Sequence, residues 1–497
     1  MSDDRIPVIV GIGEITDRPA DLMQGLEPLA LMAAALERAV EDAGHDLLRS
    51  VDSLDVVNLV SWRYADAAQQ LTERLGIAPH RAVYGPVGGE SPVRYLHEAA
   101  LRIARGESTV AAIAGAEAQS TVTKAMKAGC ELPWTPPDGP RSLRGPDYLH
   151  PLAVKLGVAM PVSVYPFYDA ATAQHWGQTP REALAESGEL WAKYAAIAAS
   201  NPAAWIKKRF SAAEIITPSA DNRLIAWPYT KLMVANPMVN QGAAILMTSL
   251  ARARKVGIAD ERIVHIWGGA AANEPRDYLQ RDQYYESHAQ NAVLETALAI
   301  AQGQPFDALE LYSCFPCVPK MARRTLGLGA DVKPSVTGGL TFFGAPLNDY
   351  MNHAACAMVR QLREGAGCGL LYGQGEFVTK HHGLVLASRP PPRPLQSWSA
   401  SVQAEADKRR GAVPPFLVEA TGPASLETFT VIFDRDGAVN HGVVILRTTD
   451  GARALARVPA ADGDTLRLLT ELDHTPLGID GVLTSNADGI SDWRARS

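Results

Sequence analysis

The sequence has few cysteines and no long apolar run. Five cysteines in 497 residues are too few for a disulfide framework, which favours a chain that folds in a reducing compartment. No uninterrupted apolar stretch reaches the roughly 20 residues that a membrane-spanning helix needs. Residues 1–5 lead directly into the apolar segment 7–13, so we expect no signal peptide. These absences predict a soluble, cytoplasmic protein that does not associate with membranes.

Positive charge is also scarce, and no basic stripe stands out. The formal net charge is -7, and the basic runs 207–209 and 323–324 are short. This composition argues against a nucleic-acid or membrane-surface protein. Cys314 and Cys317 form a Cys-x-x-Cys pair, but there is no second pair at metal-binding spacing, so we predict no metal site.

The sequence does contain a regular alternation of apolar strands, glycine turns and amphipathic helices. Residues 8–13, 51–60 and 110–115 have the composition of buried strands, and helical segments lie between them. The same order restarts near Ile263. This repetition predicts a layered α/β fold built from two related halves.

Four segments follow from this pattern. Residues 1–258 form the predicted N-terminal half and include a Trp-, Tyr- and Pro-rich insertion at 120–240, which we expect to cap a site. Residues 259–388 form the C-terminal half. The prolines within 389–400 predict a stiff linker. Short strands separated by Asp-Gly turns then predict a small β-rich domain at 401–497.

Several strings, in the correct order, resemble the thiolase superfamily. The strings that carry the resemblance are Arg102-Ile-Ala-Arg-Gly106, Asn240-Gln-Gly-Ala-Ala, Glu310-Leu-Tyr-Ser-Cys-Phe315 and Gly338-Gly-Leu-Thr-Phe-Phe-Gly-Ala-Pro346. The additional C-terminal domain is similar to that of the type 1 thiolase-like branch. The resemblance implies a layered αβαβα fold over residues 1–390. It also implies acetyl-CoA acetyltransferase-like chemistry, with CoA or an acyl-CoA as ligand and no resident cofactor.

The chain departs from the family at the positions that carry the chemistry. A thiolase needs a thiolate nucleophile, a second acid–base group and donors for an oxyanion. The resemblance places Gly89 at the nucleophile, Ala345 at the loop histidine, and Leu371 or Tyr372 at the second cysteine. No cysteine precedes Cys130, so a shift in alignment does not restore the nucleophile. We therefore predict that the protein is not an ordinary cysteine-dependent thiolase.

Other side chains near these loops are candidates for catalysis, and each has a structural alternative. Tyrosines can donate to a carbonyl oxygen, a histidine can act as acid–base near neutral pH, and buried cysteines usually behave as small hydrophobes. The candidates are Tyr312, Tyr350, His353 and Cys314, with His381, His382, Glu90 and Glu376 nearby. The tyrosine pair resembles that of thiolase-related retro-aldolases, although simple packing is the favoured role for these side chains.

Backbone and basic groups complete the predicted site. Exposed N–H groups at glycine turns can bind an oxyanion or a carboxylate. The glycines concerned are Gly88, Gly89, Gly338, Gly339 and Gly344. For the CoA phosphates we predict Arg223, Lys231 and Lys207 at the mouth of the cap.

Three functions therefore stay open. The first is a thiolase-type protein that acts on or binds acyl-CoA. The second is a C–C bond enzyme of the retro-aldolase kind that uses tyrosines. The third is a non-catalytic acyl-CoA-binding or scaffold protein, with a protein partner bound through the C-terminal domain. We expect a monomer or a homodimer.

Overall fold

The structure is a computed structural model that describes residues 3–486 and 489–496. Its first half alternates strands with helices, as the sequence predicts. The elements are β1 (Pro7–Thr16), α1 (Pro28–Ala43), β2 (Ser53–Val56), α2 (Ala67–Leu75), β3 (Arg81–Tyr84), α3 (Ser91–Arg105) and β4 (Val110–Glu117). Helix α3 ends at Gly106, which takes the left-handed conformation with φ 77° and satisfies two of the last carbonyls.

The predicted cap is mostly helical and ends in two very short strands. It comprises α4 (Gln119–Ala128), α5 (Pro151–Lys155), α6 (Pro161–His175), α7 (Pro180–Ser200), α8 (Ala212–Ile216), β5 (Leu224–Ala226) and β6 (Tyr229–Thr230). Strand β7 (Gln241–Ser249) and helix α9 (Leu250–Lys255) then return the chain to the main sheet.

The second half repeats the alternation. Its elements are β8 (Val264–Asn273), α10 (His288–Ala301), β9 (Ala308–Leu311), α11 (Cys317–Thr325), α12 (Tyr350–Arg363), β10 (Cys368–Gly375) and β11 (Lys380–Ala387). A short π-helical turn, Gly339–Phe343, precedes α12.

Strand order shows that the two halves are related. The nine main strands run β3-β2-β4-β7-β1-β8-β11-β10-β9, and the halves meet where β1 pairs with β8. From that junction outward, the first half runs β1, β7, β4 and the second half runs β8, β11, β10. In both halves, the first strand of the half therefore lies beside its last strand, and the penultimate strand comes next. Helices α3 and α12 contact strands of both halves, whereas α1 and α10 cover the outer faces. The predicted layered fold of two related halves is confirmed.

The C-terminal domain is joined to the cap by a shared sheet. It contains α13 (Gln403–Arg409), β12 (Phe416–Leu417), β13 (Gly422–Phe433), β14 (Val439–Thr448), β15 (Arg453–Pro459), α14 (Gly463–Leu469), β16 (Asp480–Ser485) and β17 (Ser491–Ala495). The cap strand β5 pairs with β13, and the Thr428 hydroxyl donates to the Phe167 carbonyl at 2.6 Å. The predicted β-rich character is confirmed, and the domain packs directly on α6.

Within the described part of the chain, no helix is long and apolar enough to cross a bilayer.

Candidate functional site

The turn that carries the thiolase nucleophile in the resemblance has no room for a side chain. Gly88, Gly89 and Glu90 precede α3, and the turn faces the end of β10. A Cβ atom on Gly89 would lie 2.2 Å from the hydroxyl oxygen of Tyr312 and 2.5 Å from the carbonyl oxygen of Gln374. Both distances are far below a normal van der Waals contact. The phenol of Tyr312 therefore occupies the space that a nucleophile would need.

Tyr312 is a neutral hydrogen-bond donor at the centre of this region. It follows β9, and its ring packs edge-to-face on Tyr350 with centroids 5.9 Å apart. Its side chain is 6% exposed, and burial raises its pKa well above the usual value. Among the described residues its hydroxyl has no hydrogen-bond partner. The phenol thus carries a hydrogen-bond donor that no described protein group uses.

The hydroxyl of Tyr350, in contrast, is hydrogen-bonded to a buried carboxyl group. Its hydroxyl lies 2.7 Å from Oε1 of Glu310 and 2.6 Å from the hydroxyl of Thr337. Glu310 also accepts from Ser335 at 2.8 Å, and burial raises its pKa to about 7. The structure brings the two predicted tyrosines into contact but gives them different surroundings.

His353 belongs to a separate buried polar network. Its Nδ1 lies 2.7 Å from Glu14 on β1, and its Nε2 lies 3.5 Å from Asp349. Glu14 also pairs with Arg360. The structure therefore connects His353 with β1, and among the described residues it shows no hydrogen bond or ring contact between His353 and Tyr312.

The two cysteines of the Cys-x-x-Cys pair are buried free thiols. Cys314 lies beside the turn, with its sulfur 3.4 Å from Oε1 of Gln374. Burial raises the pKa of Cys314 to about 12 and that of Cys317 well above the usual value, so neither forms a thiolate near neutral pH. No metal-binding cluster of His, Cys, Asp and Glu occurs among residues 3–486 and 489–496.

The remaining predicted loop residues are buried in the walls of the site. Ala345 is buried, and the hydroxyl of Tyr372 lies 2.7 Å from Nδ1 of His381. Gly338, Gly339 and Gly344 have φ values of 110°, 77° and 117°, a backbone conformation that residues with a Cβ rarely adopt. This loop packs against α7 of the cap.

An open polar cavity of about 330 Å³ adjoins the turn. Its lining residues are Glu90, Arg94, Ala271, Asn273, Glu274, Arg276, Glu376, Thr379, Lys380, His381 and His382. None of the three predicted CoA ligands lines it: Lys207 and Lys231 are exposed, and Arg223 donates to the Leu224 carbonyl. The cations at this cavity are Arg94, Arg276 and Lys380.

Glu90 is the wall residue that links the turn and the cavity. It is 5% exposed, and its Oε2 has no hydrogen-bond partner among the described residues. Burial raises its pKa, although Lys380 and Arg94 oppose the shift. Glu376 is instead held by Arg276 at 2.7 Å and Lys380 at 3.0 Å.

The sequence did not predict which cations line this cavity, nor that the carbonyl oxygen of Gln374 faces Gly89. Arg276 and Lys380 reach the cavity from the loop after β8 and from the start of β11. Gln374 lies between Gly373 and Gly375 in the sequence. These two glycines are the sequence signal that another backbone segment can approach closely at this position.

Comparisons with known proteins agree with this architecture. Residues 402–486 match the family model described as the thiolase-like protein type 1 additional C-terminal domain. The crystal structure of a monomeric SCP2-thiolase-like protein type 1 from Mycobacterium smegmatis is similar at 28% identity and a TM-score of 0.83, covering 100% of both chains. No curated protein matches the sequence.

Two more distant structures share the fold. The Ltp2-ChsH2(DUF35) aldolase matches with 18% identity and a TM-score of 0.59, covering 78% of this chain and 100% of that chain. An acetyl-CoA acetyltransferase from Syntrophomonas wolfei matches with 14% identity and a TM-score of 0.55, covering 77% of this chain and 99% of that chain.

Proposed function

Because this chain has a thiolase-like fold that carries the type 1 additional C-terminal domain, we propose that it binds acyl-CoA thioesters and acts on them without an acyl-enzyme. One observation carries the proposal: the phenol of Tyr312 lies where a side chain on residue 89 would have to be, 2.2 Å from the position of its Cβ atom. Covalent catalysis from this turn is sterically blocked, whereas binding of a thioester does not require a side chain at residue 89.

No other thiol replaces the missing nucleophile. Cys314 is the cysteine beside the turn, and burial raises its pKa to about 12, which keeps it a thiol at neutral pH. Thiolysis by a covalent acyl-enzyme therefore has no nucleophile in this region.

Two donors remain for a carbonyl oxygen. Neither the hydroxyl of Tyr312 nor the backbone N–H of Gly89 has a hydrogen-bond partner in the described part of the chain. Donors placed at a developing oxyanion stabilise an enolate or a tetrahedral centre. Such a pair supports polarisation of a thioester carbonyl and proton transfer at the adjacent carbon.

The test combines binding with mass measurement. CoA, acetyl-CoA and a long-chain acyl-CoA are titrated calorimetrically into the full chain, and intact mass is recorded after incubation with acetoacetyl-CoA. We expect binding without any acyl adduct and without thiolysis in the presence of free CoA. An acyl adduct or substantial thiolysis would refute the proposal, and the absence of any binding would turn the interpretation towards a scaffold protein.

Retro-aldol cleavage of a β-hydroxyacyl-CoA is the second candidate function. It is favoured by the free hydroxyl of Tyr312 against Tyr350, since the reaction needs a group that holds the thioester oxygen while the Cα–Cβ bond breaks. The hydroxyl proton of the substrate is removed, and Cα gains a proton to give acyl-CoA and a carbonyl compound. Tyr312→Phe is expected to abolish this turnover and to leave binding largely unchanged.

The same proposal includes the assembly and location of the protein. The similar structure from Mycobacterium smegmatis is monomeric. We propose that this chain is also monomeric and that it is cytoplasmic. Light scattering of the purified protein tests the monomeric state.

A further inference from the structure

A second groove, which we call the α4 groove, lies along helix α4 and the loop that follows it. Its volume of about 460 Å³ is within the range for small-molecule sites. The residues that line it are Trp62, Val122, Ala125, Met126, Cys130, Glu131, Leu132, Trp134, Pro136 and Pro137. This set shares no residue with the described lining of the cavity beside Glu90, so the α4 groove is a separate site with its own chemistry.

Two tryptophans form an aromatic corner in the α4 groove. The ring centroids of Trp62 and Trp134 lie 5.1 Å apart, and the ring planes meet at 76°. Trp62 donates its indole N–H to the Thr135 carbonyl at 2.9 Å. Trp134 donates its own N–H to the Gly25 carbonyl at 2.8 Å. Both rings are therefore held in place and offer a ligand carbon surface, and the negative face of an aromatic ring attracts a cation.

The loop that carries Trp134 is itself anchored. The carboxylate of Glu27, at the start of α1, accepts from the backbone N–H of Thr135 at 3.1 Å. The backbone N–H of Asp138 donates to the carbonyl of Arg63 at 3.2 Å. Three prolines restrict the loop further: Pro133, Pro136 and Pro137. Walls that are fixed before binding lose little conformational entropy when a ligand enters.

The charge of the groove comes from one carboxylate. Among the described residues that line the groove, Glu131 is the only charged one, and Lys124 and Lys127 of α4 are not among them. Glu131 is exposed, and its carboxylate makes no ion pair with another described residue. A carboxylate beside aromatic and aliphatic surface favours a cation whose charge is covered by carbon, because an ammonium with N–H groups would lose water contacts that this lining does not replace.

We propose that the α4 groove binds a small ligand with a quaternary ammonium group, of which choline is the simplest probe. The methyl groups contact the rings of Trp62 and Trp134 and the apolar side chains of Met126 and Leu132, and the carboxylate of Glu131 balances the positive charge. This site does not depend on the proposed acyl-CoA function, so either proposal can fail without the other.

Calorimetric titration of the full chain with three ligands tests the proposal. The ligands are choline, ethanolamine and dimethylbutanol, the uncharged isostere of choline in which carbon replaces nitrogen. Ethanolamine keeps the charge without the methyl groups, and the isostere keeps the shape without the charge. We expect choline to bind at least about fivefold more tightly than either, which is the scale of one cation–π contact.

Modification of Cys130 locates the ligand. This cysteine is exposed and lines the α4 groove. Because a bound ligand would cover it, saturating choline should slow its reaction with iodoacetamide, and the uncharged isostere at the same concentration should slow it less. Labelling that choline does not change would mean that choline binds elsewhere and would overturn the proposal.

Variants separate the charge from the aromatic surface. Glu131→Gln removes the carboxylate at an exposed position, and Trp134→Leu removes one ring; each should weaken choline binding about fivefold. Glu107→Gln changes an exposed glutamate outside the groove and should bind choline like the wild type. If Trp134→Leu lacks native circular dichroism, Glu131→Gln decides the question.

The other outcomes are also decisive. No choline binding, or equal affinities for choline and its isostere, would overturn the site and turn the interpretation of the groove towards a contact surface for a protein. Choline binding that is unchanged in Glu131→Gln would overturn it as well. Titration of acetyl-CoA into the same preparation reports separately on the proposed function, because the two sites share no described lining residue.

Discussion

Replacing Gly89 by alanine tests the steric argument on which the proposed function depends. The new Cβ atom would lie 2.2 Å from the hydroxyl oxygen of Tyr312, 2.5 Å from the Gln374 carbonyl oxygen and 2.9 Å from Cζ of Tyr312. Gly89 lies outside the left-handed region, so alanine is compatible with its backbone and the whole effect is steric. Tyr312 cannot move freely because Tyr350 packs against its ring.

Overpacking of this kind typically destabilises a protein by about 1–3 kcal/mol. We therefore expect Gly89→Ala to unfold at a clearly lower temperature than the wild type in a thermal scan followed by circular dichroism. Removal of the hydroxyl by Tyr312→Phe should recover part of the loss, with a coupling of at least about 0.5 kcal/mol between the two sites. The recovery is partial because the carbonyl of Gln374 stays in place.

Gly329 provides the matched control. It is exposed, it lies outside the left-handed region, and nothing lies within 4 Å of the position of its Cβ atom. Gly329→Ala should be neutral or slightly stabilising, because alanine only restricts the unfolded chain. If Gly89→Ala and Gly329→Ala unfold at the same temperature, Tyr312 does not fill the nucleophile position and the reasoning fails.

Three other measurements follow from the same site. A thiol reagent should modify only Cys130 in the native protein. Cys130 is exposed, whereas Cys314 is buried and its pKa is raised to about 12. Fast labelling of a second thiol would contradict this prediction. Tyr350→Phe should destabilise the protein by about 1–3 kcal/mol by leaving the buried Glu310 carboxyl short of a donor, and Tyr312→Phe should change stability much less. The Glu310 pKa is raised from 4.5 to about 7, so its contribution to stability is full below pH 4.5 and is lost as pH rises through 7. Glu310→Gln should therefore lose less stability than the wild type between pH 5 and pH 8 in denaturant titrations, and identical profiles would contradict the shift.

The sequence predicts the main sheet well because its elements are encoded locally. Apolar runs with nearby glycines mark β1 and β4, and Gly106 marks the end of α3 where the structure ends it. The cap strands β5 and β6 were not predicted. They have three and two residues, too few for any periodicity, and β5 pairs with β13 about 200 positions later in the chain.

The sequence predicts which residue types form the site, but it does not predict which of them contact one another. The sequence indicates Gly89 as the replaced nucleophile and Tyr312 as a candidate residue, but only the folded chain shows that the hydroxyl of Tyr312 occupies the space beside Gly89. The hydrogen bond between His353 and Glu14 joins residues 339 positions apart, which no local pattern reveals. The same is true of Arg276, which reaches the cavity beside Glu90 from the loop after β8.

Helix α6 explains why the additional C-terminal domain belongs to the same chain as the site. The hydroxyl of Tyr165 on this helix lies 2.9 Å from Oε1 of Gln374 and 2.7 Å from the carbonyl oxygen of Glu376. Two residues later, the carbonyl of Phe167 accepts from Thr428 of the C-terminal domain at 2.6 Å. Helix α6 thus contacts one wall of the site through Tyr165 and is itself held by β13 through Phe167. The domain therefore supports the position of Gln374, and with it the close contact at Gly89 that excludes a nucleophile.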